Sequence, residues 1–481
     1  MLFNSWSFVF FFLTVLAIYW LLPHRRQNLL LVFASYGFYA VWDWRFLALI
    51  AFSTLVDFFI AQRIEHAGES GRKKQLLLLS IVTNLGLLGT FKYFHFFVDS
   101  GIVLLTRLGF EANAPLIHVI LPVGISFYTF QTMAYTIDVY RGHQKAVTHL
   151  PTYALYVSYF PQLVAGPIER ASRLMPQLEN PRKMTAENWG SGAQLVLWGY
   201  VKKVVIADTL APFVDTAYAD PSAHDGLYLW LAMYGFAIQV YCDFSGYTDM
   251  ARGFSRLLGI NLMENFRAPF LSRSITEFWQ RWHISLSTWL RDYLYIPPGG
   301  NRHGKLRLYR NLMITMILSG FWHGAGWTFV IWGALQGLCM IIHRVYKERY
   351  VRGGIKNGVS TLRRQLVHVF YVVFTFHVIA TSFIFFRSPD MVTVGSFVST
   401  LMRADAWNGI SGVASTGIIT NLLFYIPIVI LLDLMLLRTS SDLPFDEQRP
   451  WWIRGVAFGS GLVLLAYVRG VESGSFVYFQ F

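Results

Sequence analysis

The chain has 481 residues, of which 54% are hydrophobic, 17% are aromatic and only 14% are charged, and its formal net charge is +13. Soluble domains carry roughly 25% charged residues, so a soluble globule of this length is excluded, and two cysteines exclude a disulfide-rich class. The composition indicates a polytopic membrane protein whose Lys and Arg excess belongs to cytoplasmic loops, so no nucleic-acid partner is expected.

Apolar runs that are long enough, or nearly long enough, to cross a membrane recur along the chain. A helix needs roughly 20 residues to cross the hydrocarbon core, and several runs are shorter, so some helices are expected to be tilted, interfacial or re-entrant. The expected fold class is all-α: a polytopic membrane protein of about 9 to 13 membrane helices in a single domain over residues 1–481. The runs cover residues 5–22, 28–42, 46–61, 75–97, 116–139, 150–166, 190–216, 226–242, 311–343, 366–386, 417–437 and 453–468.

The charge of the loops between these runs predicts the orientation of the chain. The first run is expected to be a retained span, because residues 1–7 contain no Lys or Arg and no small-residue cleavage site follows. Basic loops alternate with neutral or acidic ones, beginning with Arg25 and Arg26 after the first run. The positive-inside rule then places the N-terminus outside the cytoplasm and makes the basic stretches 302–310 and 344–364 cytoplasmic.

A first polar segment lies within the stretch 226–260. It contains Asp243 and Asp249, and ionisable groups at membrane depth are costly and are candidates for function. Both acids could be buried in a polar cavity. An equally weighted interpretation is that the helix simply reaches the interface there, with an Asp as a local cap near Gly246.

A second segment, 272–301, has helical periodicity from Thr276 to Tyr293 and ends at the PPGG turn 297–300, with Ser274 or Thr276 as its expected cap. Such a helix is expected to lie at a membrane interface, with its tryptophans as anchors. His283 falls on or beside the apolar face, where a histidine is more often a hydrogen-bonded packing residue. The face comprises Trp279, Trp282, His283, Leu286, Trp289, Leu290 and Tyr293.

A third segment, 311–343, is apolar enough for a full span and part of another, and it is expected to be broken at Ser319-Gly320 and at 324–326. His323 lies between the two expected breaks. Glycine permits a kink and the close approach of a ligand, although small residues also serve close helix packing. We favour a functional site at His323, because two glycine breaks flank one ionisable residue.

The two histidines suit proton-transfer chemistry in a site that excludes water. A neutral imidazole can take the proton of a hydroxyl as that hydroxyl attacks an acyl carbon, and a dry cavity protects a thioester. His283 and His323 stand 40 positions apart, so the sequence leaves open whether they meet in the fold. A function of another class fits the same residues: a transporter or flippase with a proton path through Asp243 and His323.

Five motifs together resemble the membrane-bound O-acyltransferase family, in particular its exopolysaccharide-acetylating members. The similarity extends from the Phe-rich N-terminal span to about residue 343. The combination is specific, whereas the WHG tripeptide alone would not be. The motifs are ITEFWQRWHISLSTWLRDY at 275–293, GGNR at 299–302, GFWHG at 320–324, PQLVAGPI at 161–168 and QVYCDFSGY at 239–247.

The resemblance implies that His323 is the catalytic histidine and that His283 is the second essential polar residue. It also implies a central tunnel and a catalytic core at about residues 115–345, followed by C-terminal helices over 366–468. The implied reaction carries an acyl group, expected to be acetyl, from a cytoplasmic thioester such as acetyl-CoA across the cell inner membrane. Periplasmic acetyl-transfer proteins would then modify an exopolysaccharide such as alginate.

Neither a metal nor a tightly bound cofactor is expected, and D-alanyl transfer to teichoic acid-type polymers is the alternative within the family. The basic residues Arg302, Lys305 and Arg307 could attract the phosphates of acyl-CoA, although ordinary cytoplasmic loop charge explains them equally well. Relatives often carry His in a WGxxHG stretch, where this chain reads WGALQG and has Gln336. Gln336 cannot titrate, which excludes a general-base role there and weakens an assignment to alginate.

Overall fold

The fold is helical throughout the part of the chain that the structure describes. The computed structural model describes residues 1–111, 119–164, 166–351, 361–403 and 417–467, and no strand occurs among them, which confirms the all-α class. Helices α1 to α20 are, in chain order, Trp6–Leu21, His24–Asp43, Leu47–His66, Ser70–Leu88, Phe94–Arg107, Ile125–Tyr140, Leu150–Ser158, Phe160–Leu163, Ala171–Glu179, Ala186–Tyr200, Asp208–Ala219, Gly226–Leu257, Ile275–Arg281, Ile284–Leu290, Lys305–His323, Trp327–Tyr346, Thr361–Arg387, Met391–Leu401, Ile418–Leu437 and Trp451–Tyr467.

Several helical segments have the length and composition to cross a membrane. Within the described ranges there are five such segments and three shorter apolar helices, and they confirm a multi-pass membrane protein. Two of the five segments each contain two helices, and the count of 9 to 13 membrane helices stays a prediction. Parts of the predicted runs 116–139, 150–166 and 453–468, and of the basic stretch 344–364, lie outside the described residues. The segments are His24–His66, Ser70–Arg107, Trp327–Arg349, Leu362–Arg387 and Ile418–Leu437, and the shorter helices are Trp6–Leu21, Met391–Leu401 and Trp451–Tyr467.

The chain divides into two compact units, which are described separately. The first comprises Met1–Val196 with Met250–Met263, and the second comprises Leu197–Asp249 with Glu264–Phe481. The expectation of one domain over the whole chain stays a prediction. The second unit carries both histidines that the sequence singles out.

The first unit has an aromatic core at its N-terminal end. Ser5 begins α1, because its hydroxyl accepts a hydrogen bond from the Phe8 backbone N–H at 3.2 Å. Phe8 and Phe12 both contact Phe254, with ring centroids 4.9 and 4.6 Å apart. The Phe-rich first span is therefore a packing element of the protein as well as an apolar helix.

The segment 272–301 is not the single helix that periodicity predicts. It forms α13, then α14, then a π-helical turn over Arg291–Tyr295. The cap at Ser274 is confirmed, since its hydroxyl accepts from the Glu277 backbone N–H at 3.2 Å. The tryptophans of the segment pack inside the protein instead of anchoring a helix at an interface; those that are buried are Trp279, Trp282 and Trp289.

Candidate active site

His283 lies at the break between α13 and α14. It is the N-cap residue of α14, and its φ of 44° and ψ of 55° put it in the left-handed region. For a residue with a Cβ this conformation is unfavourable by roughly 1–2 kcal/mol, so neighbouring contacts must hold it. A single left-handed residue leaves the hydrophobic pattern intact, which is why periodicity could not predict the break.

Asn265 holds the first residues of α14 in place. The Ile284 backbone N–H donates to the Asn265 carbonyl oxygen at 2.9 Å. The Ser285 backbone N–H and hydroxyl both donate to Asn265 Oδ1, at 3.1 and 2.9 Å. Asn265 is fully buried and has no local sequence signal, so sequence analysis missed it as a residue that positions His283.

The His283 imidazole is neutral, and its hydrogen bonds identify its tautomer. Its Nδ1 accepts from the Leu286 backbone N–H at 3.4 Å, so in the neutral ring the proton belongs on Nε2. The residue lies outside the candidate membrane spans, and burial lowers the pKa of its imidazole from 6.5 to about 3. His283 can therefore offer an Nε2–H donor but does not carry charge at neutral pH.

His323 is the last residue of α15, and it is 4% exposed. Three aromatic rings surround it: the ring centroids of Trp322, Trp332 and Phe386 lie 5.0, 5.3 and 5.3 Å away. At Gly324, which ends the helix, an added Cβ would lie 2.1 Å from the Phe329 ring. Glycine at this position thus allows the aromatic wall to close against the end of α15.

The fold brings the two histidines together. The ring centroids of His283 and His323 lie 6.4 Å apart, with an interplanar angle of 69°. Trp322 contacts both rings, at 6.0 Å from His283 and 5.0 Å from His323. Two imidazoles from separate helices therefore share one buried, aromatic-walled site.

The expected helix break at Ser319-Gly320 is wrong. α15 continues through both residues to His323. At Gly320 an added Cβ would meet the Phe329 carbonyl oxygen at 2.2 Å, and at Gly333 it would meet the Met316 carbonyl oxygen at 2.4 Å. Gly320 is therefore a close packing contact between α15 and α16, and the real break is at Gly324–Gly326.

A cavity of about 630 Å³ is lined by residues close to the histidines in the chain, although neither His283 nor His323 lines it. Its lining includes Ile284, which follows His283, and Ser319, which lies one helical turn before His323. Ligand pockets commonly measure roughly 300–1,000 Å³, so the cavity is large enough for part of a cofactor-sized thioester. The charged residues of the lining are Arg291, Arg344, Lys347 and Glu348.

The predicted donor-binding residues Arg302, Lys305 and Arg307 are exposed and do not belong to this lining. Lys305 is linked to it indirectly, because its Nζ lies 2.9 Å from Oε2 of the lining residue Glu348. The cations that line the cavity come instead from the π-helical turn after α14, from the C-terminal end of α16 and from the residue that follows α16. Their role in donor binding stays a proposal.

Asp243 belongs to a buried ion cluster in the second unit. Lys203 Nζ lies 2.6 Å from Asp243 Oδ1 and 2.8 Å from Asp208 Oδ1. All three residues are buried, and α12 runs on to Leu257, so the interpretation of Asp243 as an interface cap is wrong. Asp249 likewise pairs with Lys202, at 2.8 Å. The adjacent lysines inside the apolar run 190–216 were a signal for this cluster that sequence analysis did not use.

Gln336 bridges three helices close to the site. Its Oε1 accepts from Trp279 Nε1 at 3.3 Å, and its Nε2 donates to Ser382 Oγ at 2.7 Å. Trp279 lines the cavity. The Gln336 amide thus holds Trp279 and Ser382 in position. This role needs one hydrogen-bond donor and one acceptor, and it does not need a titratable group.

The chain is similar to known O-acyltransferases over most of its length. Residues 141–386 match the sequence model of MBOAT, the membrane-bound O-acyltransferase family. A probable alginate O-acetylase of Azotobacter vinelandii is 42% identical over 89% of this chain and 84% of its own length. The corresponding protein of Pseudomonas aeruginosa is 43% identical over 85% and 76%.

A third relative covers the chain from end to end. A peptidoglycan O-acetyltransferase of Helicobacter pylori is 32% identical over 100% of this chain and 98% of its own length. The matched region contains His283, His323 and the cavity between residues 276 and 348. The chain therefore belongs to the membrane-bound O-acyltransferase family and is a multi-pass membrane O-acyltransferase.

Proposed function

We propose that this enzyme is an O-acetyltransferase of the inner membrane. It takes an acetyl group from a cytoplasmic thioester, acetyl-CoA, and passes it toward the periplasm, where partner proteins place it on an exopolysaccharide such as alginate. The proposal rests on the pair of buried imidazoles 6.4 Å apart, which are close in the chain to Ile284 and Ser319 in the lining of a cavity of about 630 Å³. Similarity to two probable alginate O-acetylases supports acetyl as the group and alginate as the kind of acceptor.

The proposed reaction is direct attack of an acceptor hydroxyl on the thioester. The hydroxyl oxygen bonds to the carbonyl carbon of the thioester while the hydroxyl proton passes to His323. The electron pair of the C=O bond moves to the carbonyl oxygen. His283 Nε2–H donates to that oxygen, consistent with its tautomer. When the pair returns, the C–S bond breaks, and the departing thiolate takes the proton from His323. The products are an acetyl ester and free thiol.

The test of this assignment is a deletion strain complemented with His323→Ala. We expect acetyl ester formation to fall by about 10²- to 10⁴-fold, the usual effect of losing a general base. His368→Ala is the matched control, because His368 is exposed and lies outside the site. Wild-type acetylation by His323→Ala at equal membrane abundance would remove His323 from the mechanism.

We propose that the donor enters through the basic side of the cavity. Arg291, Arg344 and Lys347 line it and suit the phosphates of coenzyme A, whereas Arg302, Lys305 and Arg307 would act only from outside. To distinguish the two sites, each trio is replaced with Gln and acetyl-CoA binding by the two triple variants is measured in detergent. If only the Arg291, Arg344 and Lys347 variant binds more weakly and with more salt sensitivity, the donor site is the cavity lining. If only the Arg302, Lys305 and Arg307 variant binds more weakly, the donor site is the basic stretch 302–310.

The transport alternative is less well supported by the geometry. A proton path through Asp243 would have to break its 2.6 Å contact with Lys203, which is costly for a buried pair. Labelled acetyl-CoA distinguishes the two functions. Label that becomes covalently bound in an acceptor supports acyl transfer, whereas flux of a substrate with no ester formed supports transport.

A second acceptor is favoured by one observation, the full-length match to a peptidoglycan O-acetyltransferase. Acetyl esters should therefore be measured in both exopolysaccharide and peptidoglycan of the deletion strain. Loss from the exopolysaccharide alone supports the alginate-type acceptor, and loss from peptidoglycan alone supports the second candidate.

A further inference from the structure

Two buried hydrogen-bond donors near His323 have no partner among the described residues: the Ser319 hydroxyl and the Trp332 indole N–H. Ser319 is 0% exposed and Trp332 is 1% exposed. Buried donors are nearly always satisfied by protein or water, because an unsatisfied one retains the full cost of desolvation. Two such groups next to one histidine therefore suggest a ligand that supplies the acceptor.

Neighbouring residues of the same types do have partners. On α15, the Thr315 hydroxyl donates to the Asn311 carbonyl oxygen at 2.7 Å, one turn back, which is the usual arrangement for a hydroxyl in a helix. The Trp279 indole N–H donates to Gln336 at 3.3 Å. A comparable hydroxyl and a comparable indole thus have partners within the protein, whereas Ser319 and Trp332 have none among the described residues.

Both groups adjoin the site of the proposed reaction. Ser319 lies four residues before His323 on α15, so the two side chains share a face, and Ser319 lines the cavity. The Trp332 ring lies 5.3 Å from the His323 ring, at an interplanar angle of 85°. A carbonyl that enters from the cavity would pass Ser319, and it would meet Trp332, which does not line the cavity, only on reaching the His323 ring.

We propose that Ser319 Oγ–H and Trp332 Nε1–H are further catalytic groups that donate to the thioester carbonyl oxygen. The inference rests on the proposed acyl transfer. As the acceptor oxygen bonds to the carbonyl carbon, the carbonyl pair moves to this oxygen, and both donors stabilise the negative charge together with His283. They release the oxygen when the C–S bond breaks and the thiolate leaves with the proton held by His323.

The test uses full-length Ser319→Ala and Trp332→Phe variants in proteoliposomes with labelled acetyl-CoA and isolated exopolysaccharide plus periplasmic extract as acceptor. Each variant should lower kcat by about 10²- to 10³-fold, the effect of one such donor elsewhere, with the KM for acetyl-CoA unchanged. Ser319→Ala removes a single oxygen atom and decides the question even if Trp332→Phe folds poorly. Ser319→Thr, which keeps a hydroxyl, should recover part of the rate.

Matched controls separate this role from packing. The Ser272 hydroxyl is also buried and has no partner in the described part of the chain, but it does not line the cavity, so Ser272→Ala should keep wild-type kcat. Trp198→Phe should do the same, because Trp198 stacks on Phe445, 5.5 Å away and outside the site.

An unchanged kcat in Ser319→Ala, or a change in KM alone, would overturn the inference while leaving acyl transfer intact. Absence of label transfer by the wild-type enzyme would instead overturn the proposed function itself.

Discussion

At the scale of single residues, the conformation of His283 explains most of the site. Its left-handed backbone ends one short helix and starts the next, and contacts with Leu286 and Asn265 fix the first turn of α14. The sequence predicted both histidines from their surroundings and from family resemblance. It could not predict Asn265, because the contact between Asn265 and Ser285 joins residues 20 positions apart, on either side of α13, and leaves no periodic signal.

The backbone of His283 predicts different results for two substitutions. Asn tolerates the left-handed region better than Ala, so His283→Asn should avoid the backbone strain that an Ala variant adds, and it should lose most acyl transfer. His283→Ala should lose the same activity and also about 1 kcal/mol of stability. Thermal unfolding of both purified variants in detergent checks this; equal unfolding midpoints would argue against backbone strain at this residue.

Burial of His283 also predicts how stability depends on pH. The pKa of its imidazole falls from 6.5 to about 3 on folding. Between these values the unfolded chain binds a proton that the folded chain does not, so His283 makes stability fall as pH falls through this window. The unfolding midpoint should drop between about pH 7 and about pH 4, and it should drop less in His283→Asn. Parallel pH profiles for the two proteins would contradict the assignment.

At the scale of elements, α15 and α16 form the frame that holds His323 against Trp332. The sequence predicted that glycines shape this segment. Gly320 serves close packing, however, and the helix is interrupted only at Gly324–Gly326. Sequence alone could not distinguish these roles, because both require the absence of a Cβ. The partner helix decides between them, and periodicity does not identify that helix.

Close packing at Gly320 predicts a large effect of one methyl group. Its Cβ would lie 2.2 Å from the Phe329 carbonyl oxygen, and backbone atoms cannot yield without separating the helices. Gly320→Ala should lower the free energy of unfolding by about 1–3 kcal/mol, as over-packing of a core does. It should also reduce activity by displacing His323. Gly395→Ala is the control, because nothing lies within 4 Å of that added Cβ. Similar unfolding midpoints for the two variants would refute the packing role.

The ion cluster of the second unit gives another element-scale prediction. Lys203 forms ion pairs with both Asp208 and Asp243. Lys203→Met leaves these carboxylates buried without it, which should destabilise the protein by about 3–5 kcal/mol and lower its membrane abundance. Lys74→Met, at an exposed position, should have no such effect. Normal abundance and stability of Lys203→Met would show that the cluster is dispensable.

At the scale of the whole molecule, composition and apolar runs were sufficient to predict an all-α, multi-pass membrane protein. The prediction of one continuous helix over 276–293 was wrong, because three short helical pieces form there. The reason is that Trp279, Trp282 and Trp289 are buried against protein, and an apolar stripe looks the same whether lipid or protein covers it. Local sequence therefore predicted the class of the fold and singled out the two histidines, while their convergence required the tertiary structure; their catalytic roles stay predictions.

The most direct test of the proposed mechanism is acetyl transfer by the purified, full-length enzyme in proteoliposomes. Labelled acetyl-CoA is supplied with isolated exopolysaccharide and periplasmic extract from the deletion strain, and label in acetyl esters is measured over time. The wild type and His368→Ala should transfer label, and His323→Ala should be slower by about 10²- to 10⁴-fold with unchanged acetyl-CoA binding. Transfer at the wild-type rate by correctly folded His323→Ala would contradict the mechanism.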